Sequence, residues 1–379
     1  MTDTPEIKGH VSPGFEPVAE AMRANFEAGD EIGSGFALVQ DGETLVDIHA
    51  GWADRKKTRP WSGETIVPVF STGKAITALV MAWLVDQGRI AWDTPLSAVW
   101  PEFAAEGKEA VTLEMALSHQ AGLPGVTSEM DPADWFDLET MEARLADQAP
   151  MWPPGEASGY HPISFGVLAD ALARRVDEKA RTVGAILKET IAGPRGIDFQ
   201  IGVPEADHPR AAEHVLPPKP PQLGEMTPET EAAFLKPWSS PGRRGAAAWR
   251  SAELPAANGH GTAGALAALM QGFANAGQVK GDALISQPVA AQAMAERIAG
   301  PDRVLPFDIS FAAGVMRNRD SGWFGPEPEA VGHYGFGGSC AFADPQRRPS
   351  GAYVMNRPMD VLVGDARAMR LINAAYGCL

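Results

Sequence analysis

Cysteine and tyrosine are both scarce in this chain of 379 residues, with two of the first and four of the second. Cys340 and Cys378 stand in no metal-ligand spacing and make no disulfide framework, which argues against a zinc-bound or disulfide-stapled protein. Positive charge is also in short supply. Lysine and arginine number 32 against 48 acidic residues, the formal charge is -16 and the pI is near 5.0. No basic cluster breaks this balance, so nucleic acid and anionic membrane surfaces are poor partners. No apolar run is long enough to span a bilayer. The start, Met1-Thr2-Asp3-Thr4-Pro5-Glu6, lacks the basic and apolar regions of a secretory signal. Free thiols and the missing signal together give a cytoplasmic expectation. No internal repeat is present.

Hydrophobic residues make up 45% of the chain, enough for a large core. From Pro13 to Ala28 the apolar positions follow helical spacing, and Gly29 provides the stop. Gly35–Gln40 and Thr44–Ala50, joined at Asp41-Gly42, form a hairpin. Helical patterns cover Thr112–Leu117, Pro132–Asp147, Ile163–Val176 and Thr262–Ala276. Phe311–Met316, Cys340–Ala343 and Ala352–Asn356 are predicted strands, and Gly364–Ala375 a closing helix. Between Val215 and Pro241 the prolines are dense, and Pro217-Pro218-Lys219-Pro220-Pro221 excludes helix and central strand. That segment is an extended surface excursion, placed to wall a pocket. Strands at both ends with helices between them imply one sheet completed by both termini.

The stretch that organises the chemistry is Pro68-Val69-Phe70-Ser71-Thr72-Gly73-Lys74, which opens an apolar run from Ala75 to Val85 closed by Gly88. A helix apolar on nearly every face belongs in the interior. Residues three apart share a helical face, so the Lys74 amine reaches the Ser71 hydroxyl, and the unpaired N–H groups of the first turn point at the same spot. With 17 serines and 10 lysines in 379 residues, chance alone gives roughly 0.4 such pairs, so context decides. A lysine acts as base only when burial disfavours its cation, and a tyrosine oxygen in contact can share the proton. Of the four tyrosines, Tyr160 is the candidate, because it follows Trp152-Pro153-Pro154-Gly155 and precedes the helix from Ile163. The third piece is Gly332-His333-Tyr334-Gly335-Phe336-Gly337-Gly338-Ser339, whose glycines let a substrate approach the backbone. A backbone N–H there, with that of Ser71, can hold an oxyanion. The rival nucleophile segment Gly337-Gly338-Ser339-Cys340-Ala341 lacks the second glycine of a G-x-S-x-G turn. His49, His119 and His260 carry no ligand spacing; His119 is assigned to loop tethering, and His260 is left as a lesser candidate for lining a pocket.

Ser71-Thr72-Gly73-Lys74, Tyr160-His161-Pro162 and His333-Tyr334-Gly335, taken with Leu117–Leu123 and Asn356-Arg357, resemble the motifs of the serine β-lactamase and penicillin-binding-protein superfamily, in its family VIII carboxylesterase branch. The resemblance implies an α+β, β-lactamase-like fold, with an antiparallel sheet flanked by helices plus a mainly helical lobe. The sheet lobe is expected from 1–88 and 250–379 and the helical lobe from 89–249, with the active site between them. It implies that Ser71 attacks an acyl carbonyl, that Lys74 and Tyr160 manage its proton, and that the N–H groups of Ser71 and Phe336 form the oxyanion hole. His333, Tyr334, Gly335 and His161 are the expected substrate contacts. No metal or cofactor is required, the partner is a small-molecule ester, and homo-oligomers are allowed. Two departures bear on the substrate. Pro162 stands where the lactamases carry asparagine, and His333 and Tyr334 stand where they carry lysine and a small hydroxyl residue. The missing cation favours esters over β-lactams. Amide-cleaving relatives, namely a β-lactamase, a peptidase or a linear-amide hydrolase, are the alternative, followed by a non-catalytic scaffold of the same fold.

Overall fold

Apolar runs from the two ends of the chain pair with each other. The computed structural model describes residues 4–217 and 219–379, so the first three residues and the middle of the proline run at Pro218 lie outside the described residues. Strands β1 (Lys8–Val11), β2 (Gly33–Gln40) and β3 (Glu43–Gly51) come from the N-terminal part. From the C-terminal part come β4 (Ile298–Pro301), β5 (Asp308–Phe311), β6 (Met316–Arg317), β7 (Val331–Tyr334), β8 (Cys340–Ala343) and β9 (Pro349–Met355). They form a nine-stranded sheet in the order β1-β3-β2-β9-β8-β7-β6-β5-β4, and every pairing is antiparallel. The seam between the termini is β2 against β9, registered from Gln40↔Pro349 to Ser34↔Met355.

Side-chain size sorts the two faces of this sheet. Phe36, Leu38, Phe342 and Tyr353 pack with Val18, Met22 and Leu371 under helices α1 (Glu16–Glu27) and the C-terminal Ala366–Cys378. Ala37, Ala341, Ala343 and Ala352 point the other way, into the cluster that holds helix α2 (Gly73–Asp86). Small side chains let the helical layer approach the sheet closely, as the strand period of two permits. Two further helices, α3 (Ser164–Val176) and α4 (Ala263–Ala274, capped by the Thr262 hydroxyl), pack on α2. Helix α2 is buried from Gly73 through Ala82, as its lack of a polar face requires.

A second, three-stranded sheet joins Val67–Pro68 to Gly259–Gly261 and then to Phe199–Ile201. It fixes the segment entering Ser71. Its strands are too short to leave a pattern, and glycine is demanded at 259 because a Cβ there would lie 2.6 Å from the Phe199 ring.

Three expectations change. Pro132–Asp147 is not one helix: a 3-10 turn, Pro132–Phe136, stops at Asp137, whose carboxylate accepts from the N–H of Glu139 and caps Leu138–Asp147. Phe311–Met316 is not one strand but the hairpin between β5 and β6, reversing at Gly314 (φ +87°) with Ala312 N–H donating to Val315 O at 2.9 Å. The excursion from Val215 to Pro241 contains a helical stretch, Pro228–Leu235, within its extended chain.

The closing helix, α5 (Ala366–Cys378), is fastened by Arg367. Its guanidinium meets Asp365 at 2.8 Å, Glu31 at 3.5 Å and the carbonyl of Gly337 at 3.0 Å, all in the interior. Arg367→Met strands two buried carboxylates and is expected to lower the unfolding free energy by about 3–5 kcal/mol. Urea unfolding measures this, and a loss too small to resolve would show that the cluster holds nothing together.

Candidate active site

Phe70, the residue before Ser71, adopts φ +48°, an uncommon backbone for an aromatic residue. The 3-10 turn Phe70–Thr72 then runs directly into α2 and leaves Ser71 half-buried at its mouth. The turn is clamped from β8's entry: Thr72 Oγ1 donates to Ser339 O at 3.0 Å, and Ser339 Oγ donates to Val69 O at 2.8 Å. Ser339, the rival nucleophile, is therefore a buried clamp.

Lys74 is fully buried, and its Nζ lies 3.0 Å from Ser71 Oγ, 2.7 Å from Pro162 O and 3.0 Å from Ala256 O. Two of these partners can only accept. An ammonium could donate to all three oxygens, while a neutral amine gives its two N–H groups to the carbonyls and its lone pair to the serine O–H, so burial rather than the partner count decides between the two forms. Burial pushes the Lys74 amine well below its ordinary value. Pro162, which lacks the side-chain donor of the lactamase pattern, serves through its carbonyl instead.

Tyr160 completes this group. It lines the same cavity as Ser71, its ring lies 4.9 Å from Lys74 Nζ, and burial pushes its phenol well up while the nearby Ser71 hydroxyl pulls it down. Sequence reasoning missed the residue that holds it, Asp302. One carboxylate oxygen of Asp302 accepts from the N–H groups of Tyr160 (3.0 Å), Val304 (2.9 Å) and Leu305 (2.8 Å), while the other accepts from Ser158 Oγ (2.8 Å). Nothing in Gly300-Pro301-Asp302 beyond a turn signal pointed to this bond.

The histidines divide differently from expectation. His161 makes no contact with the cavity: it is buried, its Nδ1 donates to Gly159 O at 2.5 Å and its Nε2 accepts from Leu123 N–H at 3.0 Å. Burial pushes its pKa down to about 3, with the Gly159 bond opposing. His119 accepts from His161 N–H at 3.0 Å and is the loop tether expected. His333 is fully buried behind the cavity wall, with Nδ1 donating to Tyr334 O at 2.7 Å. Burial, the largest cause, pushes it down to about 3. Its Nε2 is thus an acceptor with no partner among the described residues, its ring centre 6.0 Å from that of Tyr160. His260 is enclosed in the small sheet and bonds Asn258 O at 2.7 Å, away from any pocket wall.

Tyr334 and Phe336 do line the cavity. Gly335 supplies the close approach: its N–H donates to Ser339 O at 2.7 Å, and a Cβ there would lie 2.2 Å from Val69 O. The next N–H, of Phe336, has no partner among the described residues, and the Ser71 N–H belongs to the unpaired first turn. These groups open onto a cavity of about 500 Å³ whose far wall is the proline-rich excursion, through Leu216, Pro221 and Phe234. Among the described residues no cluster of three or more histidine, cysteine or acidic side chains has metal-holding geometry, and no helix is long and apolar enough to cross a membrane.

Ser71 and Lys74 at the mouth of a buried helix packed on an antiparallel sheet are the geometry, and comparison gives the family. The beta-lactamase family model matches residues 18–374, and the chain belongs to that family. It is 33% identical over 370 residues to the esterase/beta-lactamase LipL of Mycobacterium tuberculosis, covering 94% of this chain and 84% of the relative. A solved penicillin-binding protein homolog from Caulobacter crescentus is 51% identical with a TM-score of 0.96, covering 99% of this chain and all of that one. A family VIII carboxylesterase structure follows at 38% identity and a TM-score of 0.93, with the same coverage. The protein is an esterase/β-lactamase-fold serine hydrolase.

Asp302→Ala removes the acceptor for three buried N–H groups. The expected result is a loss of about 1–3 kcal/mol in stability, together with a fall in kcat larger than that of a distant variant of equal stability, since Tyr160 loses its anchor. Calorimetry and kinetics on the same preparation measure both, and an unchanged kcat would remove Asp302 from the site.

Proposed function

We propose that the protein is a carboxylesterase that cleaves short-chain carboxylic esters through a covalent acyl intermediate on Ser71. The observation that carries this reading is the fully buried Lys74 amine, 3.0 Å from the serine oxygen and without an ion-pair partner among the described residues. Lys74 takes the hydroxyl proton as Ser71 Oγ attacks the ester carbonyl. The N–H groups of Ser71 and Phe336 stabilise the negative oxygen. Tyr160 relays the proton to the departing alkoxide, and water then hydrolyses the acyl-serine by the reverse route. On this reading the sheet lobe, 1–88 and 250–379, and the helical lobe, 89–249, meet at the cleft. Preference for esters over β-lactams is supported by the neutral, buried imidazole at 333 and by a cavity mouth with apolar residues such as Leu216, 75% exposed.

The competing reading, amide or β-lactam hydrolysis with the same groups, is favoured by the relative described as an esterase/beta-lactamase. Turnover of 4-nitrophenyl butyrate against a chromogenic cephalosporin separates the two, with the ester expected to lead in kcat/KM. Lys74→Ala and Tyr160→Phe should each lower kcat by roughly 10²- to 10⁴-fold, and the double variant should lose less than the product because both residues serve one proton. An alkyl phosphonate should add once, to the peptide carrying Ser71. Because burial holds Lys74 well below its ordinary value, activity persists at neutral pH and falls as acid protonates the amine. An adduct on Ser339, or a Tyr160→Phe variant with full kcat, would overturn the assignment.

A further inference from the structure

Basic residues run together in the sequence only in short stretches such as Arg55-Lys56-Lys57, yet folding assembles a cationic pocket beside Ser71. A second cavity, of about 440 Å³, is lined by Arg59, His208, His214, Arg244 and Arg250, with Glu213 as its acidic member. These residues come from separate segments, which is why the linear sequence hides them. Arg59 donates only to carbonyls, those of Ala211 (2.7 Å), Ala53 (3.3 Å) and Pro209, and the exposed Asp54 interacts with it. The Glu213 carboxylate accepts from Arg55 N–H at 2.8 Å and pairs with none of the three pocket arginines.

Arg244 and Arg250 have no hydrogen-bond or ion-pair partner for their side chains among the described residues. Burial lowers the Arg250 guanidinium from its ordinary value, and the Arg59 charge adds to that push. The Arg244 guanidinium is held over aromatic faces, 4.8 Å from the Phe336 ring centre and 5.8 Å from that of Phe70. His214 Nε2 is buried with no partner among the described residues, and its ring stands 4.9 Å from the Phe70 ring. Gathered cations without counter-ions destabilise a fold, and an anionic ligand offsets that cost with charge-assisted hydrogen bonds. In a chain of net charge -16, such a gathering is not a by-product of composition.

Position ties the pocket to the reaction. Arg244 lines both this cavity and the one that opens on Ser71, and Arg244 and His214 of the cationic pocket pack against Phe70, with Arg244 also over Phe336, both of which line the Ser71 cavity. We propose that the pocket is a subsite for an oxyanion group, a carboxylate foremost, carried on the part of an ester substrate remote from the scissile bond. This inference rests on the esterase reading and narrows its substrate class to esters with a distal anionic group. It is a different demand from that of a β-lactam, whose carboxylate sits one carbon from the scissile amide nitrogen.

The test compares half-esters of dicarboxylic acids, the mono-4-nitrophenyl esters from glutarate to suberate, with neutral methyl-capped analogues of equal length. At one chain length the anionic ester should exceed its neutral analogue in kcat/KM by about tenfold at low salt, and added salt should narrow the gap. Arg244→Gln and Arg250→Gln should each collapse that ratio. Inorganic phosphate and glutarate, added separately, should raise the melting temperature of the native protein and not that of Arg250→Gln. Neutral and anionic esters hydrolysed alike, with the ratio unmoved in both variants, would overturn the subsite. Thermal stabilisation by phosphate together with an unmoved ratio would mean a free-anion site and also overturn it. Failure to hydrolyse any ester would count against the esterase reading, and the melting shifts would then decide the pocket alone: a shift lost in Arg250→Gln supports anion binding there, and no shift overturns it.

Discussion

A lysine buried without a counter-ion is the constraint on which the rest of this structure depends. Burial disfavours the cation of such an amine and requires its hydrogen-bonding groups to be satisfied, and Lys74 finds those partners in three parts of the chain. Ser71 lies one turn away on the same helix. Pro162 stands two residues after Tyr160, on the approach to α3. Ala256 precedes the strand that pins the entry to the nucleophile turn. The three meet only because α2 is enclosed on every side, and enclosure in turn requires alanines on the sheet face beneath it. The small face of the sheet, the apolar helix and the displaced proton are one arrangement seen at three scales.

Much of this was legible in the sequence, for physical reasons. Helix α2 announces itself because a run from Ala75 to Val85 without charge has no place but the interior, and the i, i+3 spacing sets Ser71 and Lys74 on one face. The β2–β3 hairpin is written in its Asp41-Gly42 turn and the closing helix in its apolar stripe. What stayed hidden depends on contacts distant in sequence. Asp302 lies more than a hundred residues from Tyr160, and its role is to accept backbone N–H groups, which leave no side-chain signature. The edge strands β1 and β4 are mostly exposed and lack alternation. The roles of His161 and His333 were misread because a histidine beside a motif looks like a substrate contact, and only burial reveals both as part of the supporting shell.

Charge in this site has been moved rather than removed. The strand position that holds a lysine in the lactamase pattern carries a histidine whose imidazole burial keeps neutral, and the free cations appear instead beyond Phe70 and Phe336. That displacement separates the recognition of a charged substrate from the reacting atoms, where a permanent cation would disfavour protonation of Lys74 less selectively than burial does. It also explains how an acidic chain offers a local positive surface: Arg59 converges with Arg244 and Arg250 on one cavity, and the side chains of the last two have no partner among the described residues.

The claim at the centre of this account is that Lys74 is an uncharged base in the resting protein. Titration of its Cε resonance by NMR, with the lysines carbon-13 labelled and Lys74→Ala used for assignment, reads that protonation state directly. The account predicts a transition well below the ordinary lysine value and a neutral-amine shift already present at pH 8. A Lys74 signal that stays in the ammonium position until pH 10 or above would contradict it, and would leave Ser71 without the base that the geometry provides.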